Sequence, residues 1–198
     1  MTATILLVRH GTTRDIGRVL TGRGGDLPLS EAGRSEVGAL AARLAAGRLD
    51  ALQTSPVRRA RETAAAIGEA AGLAPLVASP LEEVDFGEWT GRSFADLAPD
   101  PGWQAWNSER ADACPPGGET IGAVQARVLA HLREVARSAA GSVVAMVSHA
   151  DVIRACVAGI IGLSLSRILA LTIDPASVTR IEAGEWGERL VTLNERSA

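Results

Sequence analysis

Two histidines stand where a reactive site is easiest to build. His10 closes the run Ile5-Leu6-Leu7-Val8-Arg9-His10-Gly11, and His149 closes Val143-Val144-Ala145-Met146-Val147-Ser148-His149. Arginines accompany the first at Arg9 and gather again at Arg58, Arg59 and Arg61. Glu82, Glu83, Asp85 and Glu88 add a cluster of carboxyl groups among apolar residues. Three chemistries use such an inventory. Two histidines and a carboxylate can hold a metal ion, but guanidinium groups beside them repel the cation. A serine hydrolase needs a nucleophile elbow, and Gly-x-Ser-x-Gly is absent. Arginines around a histidine fit a phosphoryl group instead, gripped by bidentate, charge-assisted hydrogen bonds. Positive neighbours depress a histidine's pKa and keep the ring neutral and nucleophilic. A carboxyl beside a dianionic phosphate is pushed the other way and retains a proton for a leaving oxygen.

The elements that must bring these residues together follow from periodicity. Short unbroken apolar runs such as Ile5 to Val8 and Val143 to Val147 suit strands buried on both faces of a parallel sheet. Open α/β sheets bind ligands at the carboxyl ends of their strands, so Arg9, His10 and His149 can meet there. Ser30 reads as the N-cap of a helix to about Gly47, with Val37, Leu40, Ala41 and Leu44 on its buried stripe. Asp50 to Thr54 reads as a second strand. Ser55-Pro56 then reads as N-cap and first position of the helix that carries Arg59. Three arginines near a helix N-terminus oppose its dipole, a conflict that a bound anion would relieve. For Arg58 and Arg61, simple solvent exposure is the better reading.

Leu76-Val77 is a short strand, and Glu119 to about Ala139 a long amphipathic helix with His131 at the edge of its apolar stripe. Asp151 to about Gly162 is apolar almost all round. Thr172 to Asp174, Val178 to Ile181 and Leu190 to Leu193 read as short closing strands, paired antiparallel at an edge. Helices alternating with strands predict an α/β fold, a three-layer α/β/α sandwich with a mainly parallel sheet. The length suits a single domain over 1–198. Within it, the segment from about 87 to 118 holds Trp89, Trp103, Trp106 and Cys114-Pro115-Pro116-Gly117-Gly118. Such a stretch reads as a lid-like insertion or pocket wall, or as a cap on the core.

Composition removes other classes. The net charge of −3 offers no field for nucleic acid or an acidic membrane surface. All twenty basic residues are arginine, which excludes a Walker lysine and any Schiff-base mechanism. Two cysteines in unlike contexts, Cys114 and Cys156, make no disulfide framework. No apolar run approaches a membrane span, and the N-terminus does not read as a secretory leader. A cytoplasmic location is expected.

Five motifs, in order along the chain, resemble those of the histidine phosphatase superfamily, which includes cofactor-dependent phosphoglycerate mutase. They are Leu7 to Thr13, Thr54 to Ala64, Leu81 to Gly91, Pro116 to Thr120 and Val147 to Ala150. The resemblance implies a phosphoglycerate mutase-like fold and a phosphohistidine formed on His10. Arg9, Arg59 and His149 would line the phosphate pocket, with Arg59 preferred to Arg58 because it directly precedes the alanine. Glu83 would be the general acid and then the base, with Glu82 and Asp85 as rival carboxyls. Substrate contacts are expected from Gly11, Thr12, Thr13 and Arg23, from Ala150 after the second histidine, and from Trp106. No metal or organic cofactor is implied.

Departures from the family pattern refine this. Thr12 stands where glutamate is common, and Asp15-Ile16 where mutases carry Trp-Asn. The basic segment with which mutases grip phosphoglycerates is missing. Asp15-Ile16 and the missing basic segment favour a phosphatase, with the small phosphatases of the α-ribazole phosphatase branch most similar. Ile16, Trp89, Trp103 and Trp106 hint at a partly apolar pocket wall. The expected partner is a small phosphorylated metabolite, and the assembly a monomer or homodimer. A phosphoglycerate mutase, or a phospho-ligand-binding protein without catalysis, is the alternative.

Overall fold

The structure, a computed structural model, describes residues 1–197. Its elements are β1 (Ala3–Arg9), α1 (Glu31–Ala45), β2 (Ala51–Thr54), α2 (Arg58–Ala71), β3 (Leu76–Val77), α3 (Phe94–Leu97), α4 (Pro101–Ser108), α5 (Ile121–Ser138), β4 (Val143–Ser148), α6 (Ala150–Ile161), β5 (Val178–Gly184) and β6 (Gly187–Glu195). The six strands form one sheet in the order β3-β2-β4-β1-β5-β6. The first four of that order run parallel, and β5 and β6 pair antiparallel at one edge. This is the three-layer α/β arrangement that the sequence predicts.

The pleat of each central strand sends alternate side chains to opposite faces. In β1, Ile5 and Leu7 join the core beneath α5 and α6, whereas Val8 joins the core beneath α1 and α2. In β4, Val144 and Met146 face the first layer, and Ala145 and Val147 the second. Each such buried Val, Leu or Ile contributes about 1.5–3 kcal/mol. A continuous apolar run is therefore what a two-faced strand requires, and its polar continuation falls on the sheet's carboxyl edge. The register Arg9↔Ser148 and the bond from His10 N–H to the Ser148 carbonyl (3.0 Å) set the two strand ends level.

Two local expectations need correction. Helix α2 begins at Arg58, not at Pro56, and its N-cap Val57 offers no side-chain bond. Ser55 instead turns its hydroxyl into the interior, where Oγ accepts from Val57 N–H at 3.2 Å. Thr172 to Asp174 forms no strand: Asp174 N–H donates to Asn194 Oδ1 (2.6 Å), and the Ile173 carbonyl accepts from the Arg9 side chain (2.6 Å). The antiparallel hairpin is β5–β6, turning at Glu185-Trp186.

The tryptophan-rich segment carries α3 and α4, capped by Ser93 and Asp100. Trp89 and Trp106 are buried in the core, edge-on to each other with ring centroids 6.2 Å apart. Among the described residues no helix is long and apolar enough to cross a membrane.

Candidate active site

The loop after β1 is moulded onto α1. A Cβ on Gly11 would lie 2.6 Å from Val37 Cγ2 and 2.8 Å from the Gly33 carbonyl oxygen, so only glycine fits. Gly11, expected among the substrate contacts, is required by the close approach of α1. Thr12 follows the same logic: its N–H and Oγ both donate to the Glu36 carboxylate, at 2.9 Å each, which turns it away from the strand ends. Thr13 is buried and does line the cavity there.

That cavity, of 180 Å³, collects Arg9, His10, Arg59, Glu83 and Ala150. Arg59, on the first turn of α2, is 3 % exposed, whereas Arg58 turns outward to Glu62 and Asp26. Arg59 Nε donates to His10 Nε2 at 3.1 Å, and its Nη2 donates to the Gly22 carbonyl (2.9 Å) and reaches His149 Nδ1 (3.1 Å). Its Nη1 is buried with no partner. The rings of His10 and His149 lie edge to face, with centroids 5.2 Å apart.

Hydrogen-bond partners fix the histidine tautomers. His10 Nδ1 faces the Gly11 carbonyl oxygen at 2.8 Å, an acceptor only, so Nδ1 carries the proton. Nε2 then keeps its lone pair, on which Arg59 donates. His149 Nδ1 faces the same donor-only guanidinium, so its proton sits on Nε2 and is donated to Ser55 Oγ at 2.8 Å. Burial, reinforced by the positive charges of Arg59 and Arg9, holds both histidine pKa values well below the ordinary value. Both rings are neutral at physiological pH.

Glu83 supplies the carboxyl. Its Oε2 lies 3.5 Å from His149 Nδ1 and 3.6 Å from Arg59 Nη2. Burial pushes its pKa up to about 7, despite the opposing pull of Arg59. The rivals stand apart: Asp85 Oδ1 accepts from Gly87 N–H, and Glu82 lies outside this cavity near Arg23. Arg23 is not a cavity residue either. It donates from Nε to the Glu83 carbonyl (2.8 Å) and from Nη2 to Glu119 (2.6 Å), pinning the acidic segment from behind. Arg127 grips the same two groups. Trp106 is buried; it packs edge-on to Phe86 and under the Arg110 guanidinium, outside this cavity but on the wall of a neighbouring one. His131 bonds Gln53 on β2, away from the cavity.

Three features were missed from the sequence. Ser55 holds His149, and the Ile173 carbonyl holds Arg9. Asp151 and Arg154 line the cavity from the first turns of α6; as the two charges in an otherwise apolar helix, they carried a signal that could have found them. Helix α6 also starts at this edge, with His149 as an N-cap that makes no side-chain capping bond. The first-turn N–H groups, that of Ala150 included, thus gather positive potential where an anion would sit.

A family model described as the histidine phosphatase superfamily, branch 1, matches residues 5–196. The chain belongs to this superfamily. It is 30% identical to phosphoserine phosphatase 1 of Hydrogenobacter thermophilus, over 96% of this chain and 91% of that one. It is 34% identical to a bifunctional protein of Mycobacterium tuberculosis over 96% of its own length and 52% of the relative's, so it spans about half of that protein. A solved mycobacterial glucosyl-3-phosphoglycerate phosphatase superposes with a TM-score of 0.87 at 29% identity, covering 98% of this chain and 99% of the other.

Proposed function

We propose that this histidine phosphatase hydrolyses a phosphate monoester of a small metabolite through a phosphohistidine on His10. One observation carries the reading: a neutral His10, with Nε2 unprotonated, shares a buried cavity with two arginines and a carboxyl whose pKa is about 7. The phosphatase names of the relatives support it.

In the proposed sequence Arg59 transfers its donors from His10 to the phosphoryl oxygens, where its unpartnered Nη1 also finds an acceptor. Arg9 and the N-terminus of α6 complete the oxyanion cradle. His10 Nε2 then attacks phosphorus as the ester P–O bond breaks, and protonated Glu83 gives its proton to the leaving oxygen. His149, beside Arg59 and Glu83, completes the lining of the phosphate pocket. Ionised Glu83 next takes a proton from water, which attacks the phosphohistidine and frees inorganic phosphate and His10.

A panel of phosphate esters, with 3-phosphoglycerate plus bisphosphoglycerate included, tests this in metal-free buffer. Phosphate release that vanishes in His10→Ala is expected. Isomerisation without release would make the protein a mutase, and binding without turnover a ligand-binding module.

A further inference from the structure

The cavity around His10 adjoins a second one of 320 Å³, and Leu20, Phe86, Phe94, Asp151 and Arg154 line both. One side of the second cavity is apolar. Phe94 stacks on Trp103 with centroids 5.9 Å apart, and Phe86 stands beside them, its ring braced by Trp106. The other side is charged. Asp151 Oδ2 accepts from Arg110 Nη1 at 3.1 Å, and Oδ1 from Arg154 Nη1 at 2.9 Å.

Both carboxylate oxygens of Asp151 are thereby committed. Burial alone would raise its pKa, but the two arginines outweigh that and hold it ionised. Two cations on one anion leave a positive charge over. Arg110 is 5 % exposed, and its Nε is a buried donor with no partner. Arg154 spends Nε on the Leu171 carbonyl (2.8 Å) and has no bond from Nη2 among the described residues. A phosphoryl dianion is already balanced by Arg9 and Arg59. An anionic group in the second cavity would meet the donors that Arg110 Nε and Arg154 Nη2 leave unpaired.

We infer that the leaving group carries one carboxylate on an apolar or aromatic body, the carboxylate meeting Arg154 and Arg110 and the body lying along Phe86, Phe94 and Trp103. This rests on the phosphatase reading and narrows it. A neutral sugar leaves the charge unanswered, and a second phosphate brings two negative charges to one positive.

The test compares kcat/KM for phenyl phosphate, meta- and para-carboxyphenyl phosphate and a phenyl bisphosphate, in the wild type and in Arg154→Gln. A charge-assisted bond predicts that the better carboxylated ester exceeds phenyl phosphate by about tenfold or more. In Arg154→Gln that ratio should fall to within about twofold of unity. The ratio, unlike a rate, is unaffected by any misfolded fraction. Equal rates on the neutral and carboxylated esters, a preference for the bisphosphate, or a ratio unchanged in the variant overturns the inference and leaves the phosphatase reading standing. Hydrolysis of none of the esters removes both.

Discussion

Glu83 is the residue whose chemistry and stability conflict most directly, and Glu83→Gln exposes that conflict. Its side chain is 13% exposed, and burial raises its pKa from an ordinary 4.5 to about 7. The folded protein thus holds this proton up to about pH 7, while the unfolded chain releases it near 4.5. Stability from the group is complete below the unfolded value and is lost as pH rises through the window to about 7. Fully ionised, the folded carboxylate costs about 3 kcal/mol, of which about 2 kcal/mol accrues between about pH 5.5 and about pH 8.5. Glutamine keeps the shape, and its oxygen can still accept from Val84 N–H as Glu83 Oε1 does at 3.0 Å. Urea denaturation of both proteins in phosphate-free buffer should therefore show Glu83→Gln gaining on the wild type as pH rises, by about 2 kcal/mol across that interval. Its turnover should meanwhile fall steeply. A stability gap that stays flat with pH would refute the assignment of a buried, proton-holding carboxyl at Glu83.

Two further substitutions probe the cradle. Arg59→Met removes the guanidinium that touches His10, Gly22 and His149; kcat/KM should drop about 100-fold or more, and a drop below tenfold would deny it a place at the phosphoryl group. Ser55→Ala leaves the fully buried His149 Nε2–H without its acceptor. It should cost about 1–3 kcal/mol in chemical denaturation, and an unchanged midpoint would mean that the Ser55–His149 contact does not hold the ring.

Much of the fold was legible because strands such as β1 and β4 must be apolar on both faces, and the first polar residues after them must then fall on the sheet edge. That logic reaches Arg9, His10 and His149 from sequence alone. It fails where direction depends on tertiary packing. Thr12, one residue past Gly11, turns to Glu36 on α1, and Arg23 reaches back to the Glu83 carbonyl across the chain. Trp106 does stand on a cavity wall, but the aromatic cluster with Phe86 and Trp89 sets it at the second cavity and not beside His10. The Arg110–Asp151–Arg154 cluster joins α6 to the end of the tryptophan segment, a pairing that no local pattern announces.

In the proposed reaction the phosphoryl group passes through His10. Rapid acid-free quenching during turnover of a hydrolysed ester, followed by peptide mapping by mass spectrometry, measures it directly. One phosphoryl group is expected on the peptide containing His10, acid-labile and absent from His10→Ala. Turnover with the label on another residue, or turnover that persists in His10→Ala, would contradict it.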